Sequence, residues 1–139
     1  MSRIIALDVG DKTVGVAVSD ELNLTAQGTE TIFRTSLKKD IGRIAEIAKA
    51  KDAKKIIMGL PKNMNGTEGE RSKIVRDFAE KTARALPQVE IDFWDERLST
   101  VAAERVLIDA DMSRKKRKKV VDKMAAVLIL QGYLDSQRK

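Results

Sequence analysis

Four acidic residues stand where a solvated charge is not expected. Asp8 interrupts the apolar run of Ile4, Ile5, Ala6, Leu7 and Val9, and Asp95 and Glu96 directly follow the strand-like segment VEIDFW (89–94). Asp122 precedes Ala125, Ala126, Ile129 and Tyr133 at i+3, i+4, i+7 and i+11, which puts it on the apolar stripe of a helix. A buried carboxylate without compensation is costly or shifts its pKa until it is neutral. Each acid alone has a simple explanation: Asp8 accepting from a turn amide, Glu96 pairing with Arg97, Asp122 capping a helix. Together they point to a shared cation. The chain has no His and no Cys, which excludes imidazole and thiolate ligands, disulfides and the usual proton shuttle. Oxygen ligands alone suit Mg²⁺ or Mn²⁺. A pair of such ions can activate water and stabilise the departing oxygen of a phosphodiester.

The cations are placed to match. Lys and Arg number 27 against 21 Asp and Glu, a net charge of +6. Residues 114–119 read RKKRKK: Arg114, Lys115, Lys116, Arg117, Lys118 and Lys119, with Lys123 soon after. Like charges at that density repel, so an exposed, mobile segment is expected, either a solubilising loop or a strap for a phosphate backbone. Acids for metal beside cations for the backbone are the two parts that a nuclease needs.

Positioning these residues requires a particular order of elements. Residues 3–9 and 12–19 read as a β-hairpin and 28–35 as a third strand. Leu37, Ile41, Ile44, Ala45 and Ala48 recur at helical spacing from Leu37 to Ala50. KKIIMGLP (54–61) is a short apolar strand, and Ile74, Val75, Phe78, Ala79 and Thr82 mark a second helix ending near Pro87. After the strand 89–94, Ser99 or Thr100 caps a helix to about Ala110, and Asp122 opens a last helix to about Asp135. The expectation is one α/β domain over residues 1–139, with a five-stranded mixed sheet: an antiparallel meander, then parallel strands, flanked by helices. In such sheets functional groups gather at the carboxyl ends of the parallel strands, where these acids fall. Trp94 and Tyr133 sit in periodic apolar contexts and read as core. No apolar run approaches the length of a membrane span and no leader is evident, so no membrane partner is expected.

Between strand and helix lies the loop KNMNGTEGE (62–70). Gly59 permits close backbone approach, while Gly66 and Gly69 permit positive φ. Amides ahead of a helix beginning near Glu68 can bind phosphate, although Glu68 and Glu70 suit a helix N-terminus without any ligand. Arg97 is open to two roles, a clamp on the scissile phosphate or the ion-pair partner of Asp95. Strand alternation puts Asp95 and Glu96 on opposite faces and leaves open which points inward.

The segments DVGDKTVGVAVSD, GLPKNMNGTEGE, DERLSTVAAE and DKMAAVLILQGYLDS occur in this order and at a spacing that resembles the YqgF (RuvX-like) family. The resemblance covers nearly the whole chain. It implies an RNase H-like fold and a nuclease that matures the 5′ end of pre-16S ribosomal RNA, or a Holliday junction resolvase-like DNA endonuclease. It further implies Asp8, Glu96 and Asp122 as the catalytic, metal-binding acids, with the Gly59–Gly69 loop nearby, and a bacterial cytoplasmic setting. Precursor ribosomal RNA or branched DNA would be the substrate, and the small ribosomal subunit a further partner. One departure is visible: the family usually has Lys-Arg after the first turn, whereas here Lys12, the expected phosphate contact, is followed by Thr13. Two rival readings remain. The first hairpin also looks like the phosphate-binding hairpin of actin-like ATPases, which clamp nucleotide between two such domains. A non-catalytic nucleic-acid-binding protein would keep the fold for its basic surface, but it would not need the acids.

Overall fold

The computed structural model describes residues 2–63, 65–98 and 114–137, with residues 114–122 described through their backbone alone. Strands β1 (Arg3–Val9), β2 (Thr13–Ser19) and β3 (Ala26–Phe33) form an antiparallel meander. Helix α1 (Leu37–Ala50) leads into β4 (Ala53–Leu60), and α2 (Glu70–Ala85) leads into β5 (Glu90–Asp95). One 3-10 turn, Glu96–Leu98, follows β5, and helix α3 spans Arg114–Gln137. The sheet order is β3-β2-β1-β4-β5, with β4 parallel to β1 and β5 parallel to β4. This is the mixed five-stranded sheet that the element order predicts, and it puts β1 at its centre.

Strand alternation divides the core into two faces. Ile5, Leu7, Val9, Val14, Val16, Val18, Ile56, Met58 and Leu60 pack against α1 and α2 through Ile44, Val75 and Phe78. On the other face Ala6, Ala17 and Ile57 meet Ala125, Ala126, Ile129, Leu130, Tyr133 and Leu134 of α3. Trp94 packs there too, edge-on to Tyr133 at 6.2 Å, so both aromatics are core as expected.

Strands β4 and β5 are each offset by one residue from the expected 54–61 and 89–94, and three other boundaries have identifiable causes. Strand β3 runs from Ala26 to Phe33 instead of 28–35; the Arg34 N–H still bonds Lys12 O in register, and Thr35 turns away to bond the Asp40 carboxylate. Helix α2 begins at Glu70 instead of near Glu68, because Glu68 bridges to Lys62 and binds the Arg76 guanidinium at 2.6 and 2.7 Å. Residues 114–119, expected as a mobile segment, have helical backbone, and Asp122 lies inside α3 and does not open it. Lys and Arg are good helix formers, and a helix already anchored by packing extends at little further cost. The helix expected from Ser99 or Thr100 to Ala110 lies outside the described residues.

The Ile129 side chain of α3 lies against β4 where Gly59 has no side chain. A Cβ there would overlap Ile129 Cδ1 and stand 3.2 Å from Ile129 Cγ1, and Ile129 is fully buried. Overpacking at such a site costs about 1–3 kcal/mol. Gly59→Ala should therefore lower the urea unfolding midpoint with an unchanged slope, and adding Ile129→Val, which removes Cδ1, should recover part of the loss. A Gly59→Ala protein as stable as the wild type would refute this account of the packing.

Candidate active site

Asp8 lies on the same sheet face as Ala6, the one covered by α3, and it is 4% exposed. Across β2 its partner is Gly15. On the other side β1 pairs Leu7 with Met58, and the register continued by one residue sets Asp8 beside Gly59. Gly59 in turn pairs with Trp94 on β5. Both strand neighbours of Asp8 therefore lack side chains, which leaves space on the α3 face beside its carboxylate.

Glu96 enters that space. Its Oε1 stands 2.8 Å from the position a Cβ on Gly59 would occupy. Asp95 is committed elsewhere, since strand alternation puts it on the opposite face with Phe93. Its carboxylate accepts from Arg97 NH2 at 2.7 Å, from Arg97 Nε at 3.1 and 3.2 Å, and from the Arg97 backbone N–H at 2.9 Å. The Arg97 side-chain bonds are the main cause holding the Asp95 carboxyl below its usual range, and burial opposes them. The same bonds raise the Arg97 pKa. This geometry favours the ion-pair role for Arg97 and the inward role for Glu96.

The third acid is located by its backbone. Tyr133 lies under the Lys55 ammonium, 5.0 Å from its ring centre, near the start of β4, whereas Ile129 lies at Gly59, near the end of that strand. Helix α3 thus runs antiparallel to β4, and residues before Ile129 continue towards the strand carboxyl ends. Asp122 is two turns earlier, about 10 Å along the axis. Its side chain, like those of Arg114, Lys115, Lys116, Arg117, Lys118 and Lys119, is outside the described residues. Among the described side chains no group of three acids is arranged to hold a metal.

The surrounding loops complete the site. Lys12 is exposed in the β1–β2 turn. The 62–68 loop folds on itself through Asn63, Asn65 and Thr67, and Gly66 takes φ +89° with its Cα side facing the Arg97 guanidinium. Gly69, which could take positive φ, is the extended N-cap of α2. Arg34 and Asp40 are not singled out by the sequence, yet they stand close by. Asp40 is 2% exposed and pairs with Arg34 at 3.4 Å beside the β1–β2 turn. The available signal is an acid one turn after the cap residue Ser36, which reads as ordinary helix-end chemistry.

A family model described as "RuvX: Holliday junction resolvase" matches residues 2–136. A relative from Clostridioides difficile (strain 630), named "Putative pre-16S rRNA nuclease", is 60% identical over 133 residues, covering 96% of this chain and 94% of its own. One of the same name from Bacillus thuringiensis (strain Al Hakam) is 60% identical over 137 residues, covering 97% and 99%. T. thermophilus RuvC, solved in complex with a Holliday junction substrate, shares the fold at TM-score 0.61 and 11% identity, covering 99% of this chain and 96% of that one. The yeast mitochondrial Holliday junction resolvase does so at TM-score 0.57 and 13% identity, covering 99% and 79%. The fold is RNase H-like, and this chain belongs to the RuvX family of nucleases.

Proposed function

We propose that this protein hydrolyses phosphodiester bonds of precursor 16S ribosomal RNA during maturation of its 5′ end, using Mg²⁺ or Mn²⁺ held by Asp8, Glu96 and Asp122. The observation that carries this reading is the Glu96 carboxylate lying in the space over Gly59, on the face that Asp8 shares. The donor set fits a hard cation, because carboxylate oxygens are its ligands and neither imidazole nor thiolate exists in the chain. When bound, such a cation supplies an activated water and stabilises the leaving oxygen. The chain's own residues orient the substrate. Lys12 and the cations from Arg114 to Lys119 attract the backbone, and Arg97, braced on Asp95, has its guanidinium beside Gly66 of the 62–68 loop. The setting is the cytoplasm and the partner the small ribosomal subunit; among the described residues no helix is long and apolar enough to cross a membrane. A second reading, cleavage of branched DNA, is favoured by the description of the matching family model.

Purified protein offered a precursor ribosomal RNA and a four-way DNA junction, each with Mg²⁺ or Mn²⁺, distinguishes the two. Cleavage of the RNA is expected, and cleavage of the junction alone would transfer the function to DNA. Asp8→Asn and Glu96→Gln should each lose more than about a hundredfold in rate, since removal of outer-shell partners alone costs about 10–100-fold. Asp95→Asn should keep most of the activity and lose stability. Because the folded Asp95 pKa is depressed, its stabilisation is full above the unfolded value and is lost as pH falls through the folded one. The melting difference between wild type and Asp95→Asn should therefore shrink on acidification from neutral pH through the carboxylate range. An inactive Asp95→Asn beside an active Glu96→Gln would move the ligand role to Asp95.

The basic residues give a separate outcome. Replacing Lys115, Lys116, Lys118 and Lys119 with Gln keeps helix propensity and removes charge. Affinity for all sequences should fall together, and the salt dependence should flatten by about 0.7–0.9 log units for each phosphate no longer neutralised. The rate at saturating substrate should fall less. An unchanged salt slope in a binding titration would make this segment a solubilising surface.

A further inference from the structure

The β1–β2 turn is closed within itself by the Gly10 N–H bonding Thr13 O at 2.9 Å. Two further bonds reach it from Arg34. The Arg34 backbone N–H donates to Lys12 O at 2.8 Å, and its guanidinium donates to Gly10 O at 2.8 Å. The same guanidinium pairs through Nε with Asp40 at 3.4 Å and lies over the Phe78 ring of α2, 5.2 Å from its centre. Asp40, nearly buried in the first turn of α1, also accepts the Thr35 N–H at 3.2 Å. One arginine thus ties the turn to both helices of that face.

A nearly buried ion pair adds little net stability, because desolvation offsets its attraction. Its effect here is orientation. The turn exposes two adjacent opposite charges, Asp11 and Lys12, so its attitude decides which sign faces an approaching anion. Asp8 needs no such brace, since it lies in a strand paired on both sides.

We propose that Arg34, anchored by Asp40, is a positioning residue that holds the Gly10–Lys12 turn so that Lys12 meets the phosphate backbone of the nucleic acid. The proposal rests on the nuclease reading and adds to it a residue on the far face of the sheet. Its signature is a loss in binding, with less loss in chemistry, that disappears once Lys12 is gone.

The test is a double-mutant cycle on the full chain, with KM, kcat and the salt dependence of binding measured on a labelled single-stranded RNA. One phosphate contact accounts for a slope of about 0.7–0.9, or about five- to eightfold in affinity at 0.1 M salt. Arg34→Met should weaken binding by that factor, flatten the slope by the same amount as Lys12→Ser, and raise KM more than it lowers kcat. In the Lys12→Ser protein, Arg34→Met should have no further effect on affinity. If Arg34→Met fails to fold, Asp40→Asn, whose amide oxygen can still accept the Thr35 N–H, tests the same coupling. Wild-type affinity in a folded Arg34→Met protein, or effects that add to those of Lys12→Ser, would overturn the proposal. A wild-type protein that cleaves no nucleic acid would refute the nuclease reading itself, whereas additive effects in a cleaving protein refute only the clamp.

Discussion

The close approach of α3 to the sheet is the constraint on which the site depends. Small residues on both sides make it possible: Ala6 and Ala17 from the strands, Ala125 and Ala126 from the helix, all buried. Gly59 meets Ile129, and a Cβ on Gly132 would stand 3.3 Å from the Trp94 ring. On the opposite face, Ile, Leu, Val and Phe side chains fill the greater depth beneath α1 and α2. The same small residues that seat the helix leave room at the strand ends for carboxylates. Gly59 serves both ends, since its missing side chain admits Ile129 on one side and the Glu96 carboxylate on the other.

Much of this arrangement is legible in the sequence where hydrophobic periodicity is strong. The alternation of β1, β2 and β4 and the spacing of Ile41, Ile44 and Ala48 assign elements almost to the residue, and short connections limit their order. Boundaries set by side-chain bonds are not legible. The end of β3 depends on Asp40 accepting from Thr35, and the start of α2 depends on Glu68 reaching Arg76, two residues eight apart. The start of α3 is hidden for another reason. Charge repulsion within RKKRKK suggests a coil, but the relevant alternative is extension of a helix already packed from Ala125 onward.

The acids are legible for a different reason, namely that charge in an apolar pattern is conspicuous. Asp8 and Asp122 stand out against Ile, Leu and Ala neighbours, whereas Asp40 sits near Lys38 and Lys39 at a helix start and looks ordinary. Asp40 is nonetheless as buried as Asp8, and burial is a tertiary property that local pattern does not show. Between Asp95 and Glu96 alternation alone allows two answers, and that Glu96 stands over the α3 face is seen only in the structure, where Gly59 on the neighbouring strand has no side chain.

The acids also differ in how firmly their backbones are held, and the ion pairs follow that difference. Asp8 is in the central strand, with ladder bonds on both sides. Glu96 leaves an edge strand on a single 3-10 turn, where local opening is easier. That turn is closed by the Asp95 carboxylate accepting the Arg97 N–H, with the Arg97 guanidinium folded back onto the same carboxylate. An arginine turned to the α3 face would meet Glu96 and compete with any cation for it. Placed on Asp95, one residue earlier and on the other face, the same charge stiffens the turn. Neighbouring acids on an alternating strand therefore lie on opposite faces, Asp95 bracing the turn and Glu96 standing over Gly59.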